Sequence, residues 1–157
     1  MGLLISNRKQ LLMGVMMLMV FTGCSGSKPD SIGVSDNRLA ACPDSPNCVS
    51  SDAQDDKQRV LPFYLVSNTA DKWADVIDAI GTIPRTTLIT QTDRYLHVEC
   101  KSLVFRFVDD LELLMNPESG EISVRSASRL GYSDMGVNRK RVEALRQILL
   151  EKGIVRK

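Results

Sequence analysis

The chain has 157 residues, 43% of them hydrophobic and 25% charged, and its net charge is +1. That length suits one small domain with a single core. The near-neutral balance excludes the basic surplus on which nucleic-acid binding depends.

The N-terminus comes first. Arg8 and Lys9 precede an apolar run, Leu11 to Phe21, broken only by Gly14. A bilayer-spanning helix needs about 20 apolar residues, so this shorter run has the layout of a secretory signal peptide. An uncleaved anchor is the alternative. The run closes on Thr22-Gly23-Cys24, which resembles the lipobox of bacterial lipoproteins. The resemblance implies cleavage before Cys24 and acylation of its thiol. It also implies more than one acyl chain, which stable attachment requires. Ser25 follows, where aspartate would favour inner-membrane retention. In a Gram-negative cell that favours the periplasmic face of the outer membrane. The expected division is a signal peptide over 1–23, a lipidated flexible linker over 24–41 and a single domain over 42–157. The linker expectation comes from the Ser, Gly and Asp content of residues 25–41, with Pro29 among them.

Export changes how the remaining cysteines read. Cys42-Pro43-Asp44-Ser45-Pro46-Asn47-Cys48 is a turn-rich stretch. In an oxidising compartment it predicts a local Cys42–Cys48 disulfide, whose loop closure contributes about 2 kcal/mol. A metal site is the rival, but the chain offers no second cysteine pair and a single histidine. Cys100 then remains as a small buried apolar residue.

Along the domain, Val60 to Val66 with Pro62 predicts an edge strand or an extended entry. A helix follows, capped by Asn68 or Thr69, with Trp73, Val76, Ile77 and Ile80 on its apolar stripe and Gly81 at its end. Thr86 to Thr90 is a β-branched strand, and Thr92-Asp93-Arg94 a turn. From Tyr95 the alternation puts Leu96, Val98 and Cys100 on one side. Tyr95, His97 and Glu99 take the other, so His97 is expected on the solvent side. In the next strand Phe105, Phe107, Leu111, Leu113 and Met115 share a parity with Asp109. Either Asp109 enters the apolar face with a cationic partner, or a bulge resets the register. Asn116 to Gly120 is a turn and Glu121 to Ser128 the last strand. The final helix takes Asn138 as its cap, a Val137–Val142 staple, the stripe Val142, Leu145, Ile148 and Leu149, and Gly153 as its stop. The expected fold is α+β: two layers, a curved antiparallel sheet of about four to five strands, and two helices on one face.

The stretch from Val124 to Arg141 is dense in cations, hydroxyls and glycines. Arg139, Lys140 and Arg141 fall in a first helical turn, where cations oppose the helix dipole by about 0.3–1 kcal/mol each. Something negative should compensate. One answer is an internal network with Asp109, Asp110, Glu112 or Asp134. The other is an anionic ligand held by arginines, hydroxyls and helix-terminal amides.

Three stretches carry a resemblance: residues 42–51, Phe105-Arg106-Phe107-Val108-Asp109-Asp110, and Val124-Arg125-Ser126 through Val137-Asn138-Arg139. Together they resemble family 1499 of the domains of unknown function, over about residues 40 to 151. The family implies no activity or cofactor. It implies that the three stretches form one unit, and it marks polar positions as site candidates without roles. Those are Asp109, Asp110, Arg125, Ser126, Ser128, Arg129, Tyr132, Asp134, Asn138 and Arg139. Three functional readings follow. The first is a lipid-anchored envelope module that binds an anion or an envelope protein through Arg125, Arg129 and Arg139. The second is an enzyme using Asp109 and Asp110 as acid and base or as cation ligands, although no catalytic signature accompanies them. In the third, the polar network is structural. No cofactor, resident metal or nucleic-acid partner is called for.

Overall fold

Alternation in residues 95–128 builds the architecture, because those three strands carry apolar groups on one face and charged groups on the other. The computed structural model describes residues 26–157. The leader, Cys24 and its expected lipidation lie outside the described residues. In chain order the elements are β1 (Val34–Ser35), β2 (Arg38–Leu39), β3 (Cys48–Ser50), β4 (Phe63–Leu65), α1 (Ala70–Gly81), β5 (Thr86–Gln91) and β6 (Tyr95–Lys101). They continue with β7 (Val108–Met115), β8 (Glu121–Ser128), α2 (Val137–Glu151) and β9 (Val155–Arg156).

The main sheet is antiparallel in the order β5-β6-β7-β8-β4-β9, with β3 also paired to β8. It has seven strands, more than the four to five expected. The additional ones, β3 and β9, are three and two residues long. Alternation cannot be read from so few positions. β9 pairs with the outer side of β4, so the strand expected at an edge within residues 60–66 is internal. β1 and β2 form a separate hairpin. The Cys42–Cys48 disulfide is present, and Cys100 is free and buried. Burial pushes the Cys100 thiol up to about 11.

Both helices bury their stripes in one core. Trp73, Val76 and Ile80 of α1 and Val142, Leu145 and Leu149 of α2 join Leu96, Val98, Leu111, Leu113, Ile122 and Val124 of the sheet. Thr69 caps α1, its hydroxyl accepting the Lys72 amide. The start of α2 differs from expectation. Its cap is Gly136, at φ +78° and with no side-chain bond of its own. The Asp134 carboxylate instead accepts the amides of Gly136 and Asn138, at 2.9 and 2.7 Å. Asn138 is therefore free to turn inward, and Val137 is the exposed first helical residue, not a staple outside the helix.

The second face of the sheet is covered as well. Gly33 donates its amide to Glu112 at 2.9 Å. Leu39 is 6% exposed and packs with Tyr95 and Leu114. The Gly26 carbonyl accepts from Arg129 at 3.2 Å, and the Asn37 carboxamide accepts from Arg94 at 2.7 Å. Residues 26–39 thus run as a strap along the sheet, where a flexible linker was expected. The strap also corrects the expectation for His97, which is fully buried. A stretch rich in Ser, Gly and Asp hides its packing role because one leucine and a few backbone groups perform it.

If the strap is part of the folded unit, Leu39→Ala should cost about 2–5 kcal/mol in urea unfolding, as for a core leucine. A tether residue would change stability by no more than about 0.5 kcal/mol.

Candidate functional site: a buried charge network

Facing strands bring the charges together by register. Across β6, β7 and β8, His97 lies opposite Glu112 and Glu112 opposite Arg125, while Glu99 lies opposite Asp110. All of them occupy the strap side. Arg125 donates to Glu112 Oε2 at 2.9 Å, and Glu112 Oε1 accepts the Tyr95 hydroxyl at 2.8 Å and the Gly33 amide at 2.9 Å. Burial, and then the Glu112 charge, push the Tyr95 phenol far above its ordinary value, so it stays a donor.

Arg129, just beyond β8, forks onto Asp110. Its Nε reaches Oδ2 at 2.9 Å and its Nη2 reaches Oδ1 at 2.7 Å, while Nη2 also meets Glu99 at 2.6 Å. His97 Nε2 lies 2.7 Å from the same Asp110 Oδ1. Burial opposes ionisation of Asp110, but hydrogen bonds from Arg129 and His97 and the Arg129 charge outweigh it. They hold the carboxyl below its usual range. Two buried nitrogens, His97 Nδ1 and Arg125 Nε, have no partner among the described residues.

On the core face, Asp109 answers the question its parity raised. β7 pairs with β8 without interruption from Asp109↔Ser128 to Met115↔Ile122, so no bulge resets the register. Asp109 enters at the rim of the apolar face and meets Arg141 from α2. Nearby, Asn138 is fully buried. It accepts the Ser126 hydroxyl at 2.7 Å and donates to the Asn47 carbonyl at 2.9 Å and the Ser128 hydroxyl at 3.0 Å. Arg141 also donates to it. Asn138 thereby ties the disulfide loop, β8 and α2 into one unit.

The ten candidates separate accordingly. Arg125, Arg129 and Asp110 share the network under the strap. Asp109, Ser126, Ser128 and Asn138 form a second network across the sheet. Asp134 caps α2. Arg139 stands apart from Arg125 and Arg129, donating to the carbonyls of Arg59 and Lys57 at 2.8 and 2.6 Å. Tyr132 is 76% exposed. Asp109 and Asp110 occupy opposite faces of β7, so no single site receives both. Phe105 and Phe107 precede β7 and are exposed. Sequence reasoning missed His97, Glu99 and Tyr95 as members. The available signal was the repeated charge at alternate positions of two adjacent strands. Among the described residues no group of three or more His, Cys, Asp or Glu is placed to hold a metal ion.

Residues 38–149 match the family model described as Protein of unknown function (DUF1499). The chain belongs to this family. No curated protein and no solved structure matches it. The DUF1499 match takes in both polar networks and the strap's last two residues, Arg38 and Leu39.

Two outcomes are expected of the Asp110 cluster. Arg129→Leu leaves Asp110 and Glu99 without their cation and should cost about 3–5 kcal/mol in denaturant unfolding. Its pH dependence also has a definite sign. The folded Asp110 pKa lies below the unfolded value of about 3.9. Its stabilisation is therefore complete above that value and is lost as pH falls through the folded one. Asp110→Asn should flatten the acid limb of the stability curve between about pH 5 and pH 2. An unchanged acid limb would show that the pair does not form.

Proposed function

We propose that this DUF1499 protein is a lipid-anchored cell-envelope protein whose domain is a non-enzymatic binding or structural module. In a Gram-negative host its place is the periplasmic face of the outer membrane. The observation that carries the module reading is charge pairing inside the domain. The buried Arg125 and Arg129 meet Glu112 and Asp110, so these cations are spent on the fold. That favours the structural reading of the arginine-rich segment over capture of an anion by those arginines. The leader pattern and Thr22-Gly23-Cys24 support the anchor, and the disulfide suits an oxidising compartment. Of the candidate set only Tyr132 is exposed, so outward contact by that set falls to Tyr132. An Asp109/Asp110 enzyme draws no support from carboxylates on opposite faces of a strand.

Mass spectrometry of the protein purified from its native membrane should find an N-terminal peptide beginning at acylated Cys24. Cys24→Ala should abolish incorporation of labelled fatty acid. A mature chain retaining Met1 would contradict the reading.

A further inference from the structure

The ends of the sheet differ in character. At one end lie the turns 92–94 and 116–120, made of Thr92-Asp93-Arg94 and Asn116-Pro117-Glu118-Ser119-Gly120. At the other end lie the loop 102–107, which leads into β7, and the loop 129–136, which leaves β8. The Arg129 amide donates to the Val108 carbonyl at 3.2 Å, which places these two loops side by side. They hold large apolar groups in water: Leu103 is 73% exposed, Val104 75%, Phe105 72%, Tyr132 76% and Met135 89%. Among the described residues, only Leu61, at 70%, matches that exposure elsewhere. Apolar groups gathered on one surface mark an interaction site, whereas single ones are ordinary.

The segment that follows Cys24 identifies the partner. Gly26 lies against this end of the sheet, its carbonyl bonded to Arg129. A Cβ added there would come within 3.1 Å of both Arg129 Cβ and Leu130 Cγ. Consecutive Cα atoms are 3.8 Å apart, so the Cα of Cys24 is within about 8 Å of the Cα of Gly26. Any lipid on Cys24 therefore emerges beside these two loops. Charge agrees with that placement. Lys101 and Arg106 are exposed at this end, and cations near a membrane are drawn to anionic headgroups. The Asp134 carboxylate in the second loop is occupied by the amides of Gly136 and Asn138.

We propose that the end of the domain formed by loops 102–107 and 129–136 rests on the bilayer that holds Cys24. Phe105, Leu103, Tyr132 and Met135 enter the interfacial layer, where aromatic and apolar side chains with flanking cations partition well. This rests on the lipidation of Cys24 proposed above. The lipid is then one of two attachments, and the domain has a fixed orientation with the polar turns pointing away from the membrane.

Tryptophan reporters test the contact in the full, acylated protein. Phe105→Trp, Tyr132→Trp and Glu118→Trp are each reconstituted into phosphatidylethanolamine–phosphatidylglycerol vesicles with brominated or plain acyl chains. The single native tryptophan, Trp73, is 4% exposed and gives a constant background. Insertion at headgroup–acyl depth should quench the first two reporters about twofold in brominated vesicles and leave Glu118→Trp unchanged. No quenching of the Phe105 and Tyr132 reporters, or equal quenching of all three, would overturn the docking and leave this surface to a protein partner. The intact mass of the N-terminal peptide is read on the same samples. An unacylated Cys24 would remove the anchor, and the docking with it, a result separate from unquenched reporters on an acylated chain.

Discussion

A carboxylate taken out of water costs several kcal/mol unless a cation and hydrogen bonds replace its hydration. This domain buries three on adjoining strand positions: Asp109, Asp110 and Glu112. Each has its own arginine, Arg141, Arg129 and Arg125 respectively. The assignment alternates with the pleat. Asp109 faces the helices and takes its partner from α2, whereas Glu112 and Asp110 face the strap and take theirs from within β8 and just beyond it. The charged segment between Val124 and Arg141 thus reads as three matched neutralisations.

The pairing requires cover. Two arginines, three carboxylates, a tyrosine and a histidine on an open sheet face would be solvated, and surface ion pairs contribute little. The strap supplies cover with backbone groups, the Gly33 amide to Glu112 and the Gly26 carbonyl to Arg129, and with the Leu39 side chain at the far end. The same strap fixes where the chain enters the domain. Charge network and exposed loops are therefore connected by one stretch of chain: Gly26 contacts Arg129, and Arg129 begins the loop that carries Tyr132.

Much of the fold could be read from the residues. The helix stripes, the strands 86–91, 95–101 and 121–128, and the disulfide follow from periodicity, β-branching and proline-rich turn chemistry. The cationic partner of Asp109 was one of two outcomes its parity allowed. Other features were not legible. His97 looks solvent-facing because alternation reports which side a residue takes and not what lies on that side. The cover comes from a polar stretch whose composition matches a tether. Asn138 looks like a helix cap because asparagine favours that position, but the helix already begins at Val137, and Asp134 four residues earlier accepts the Asn138 amide. Arg139 groups with Arg125 and Arg129 by sequence distance and is separated from them by direction, because it leaves the first turn of α2 toward the carbonyls of residues 57 and 59.

The central claim is that Arg129 and Asp110 exist for each other. A double-mutant cycle on Asp110→Asn and Arg129→Leu, read by urea unfolding at neutral pH, tests it most directly. The account predicts that the double variant is more stable than the sum of the single losses implies, with a coupling of at least about 1 kcal/mol. Single losses that add to within about 0.3 kcal/mol would contradict it, because groups that do not interact behave in that way.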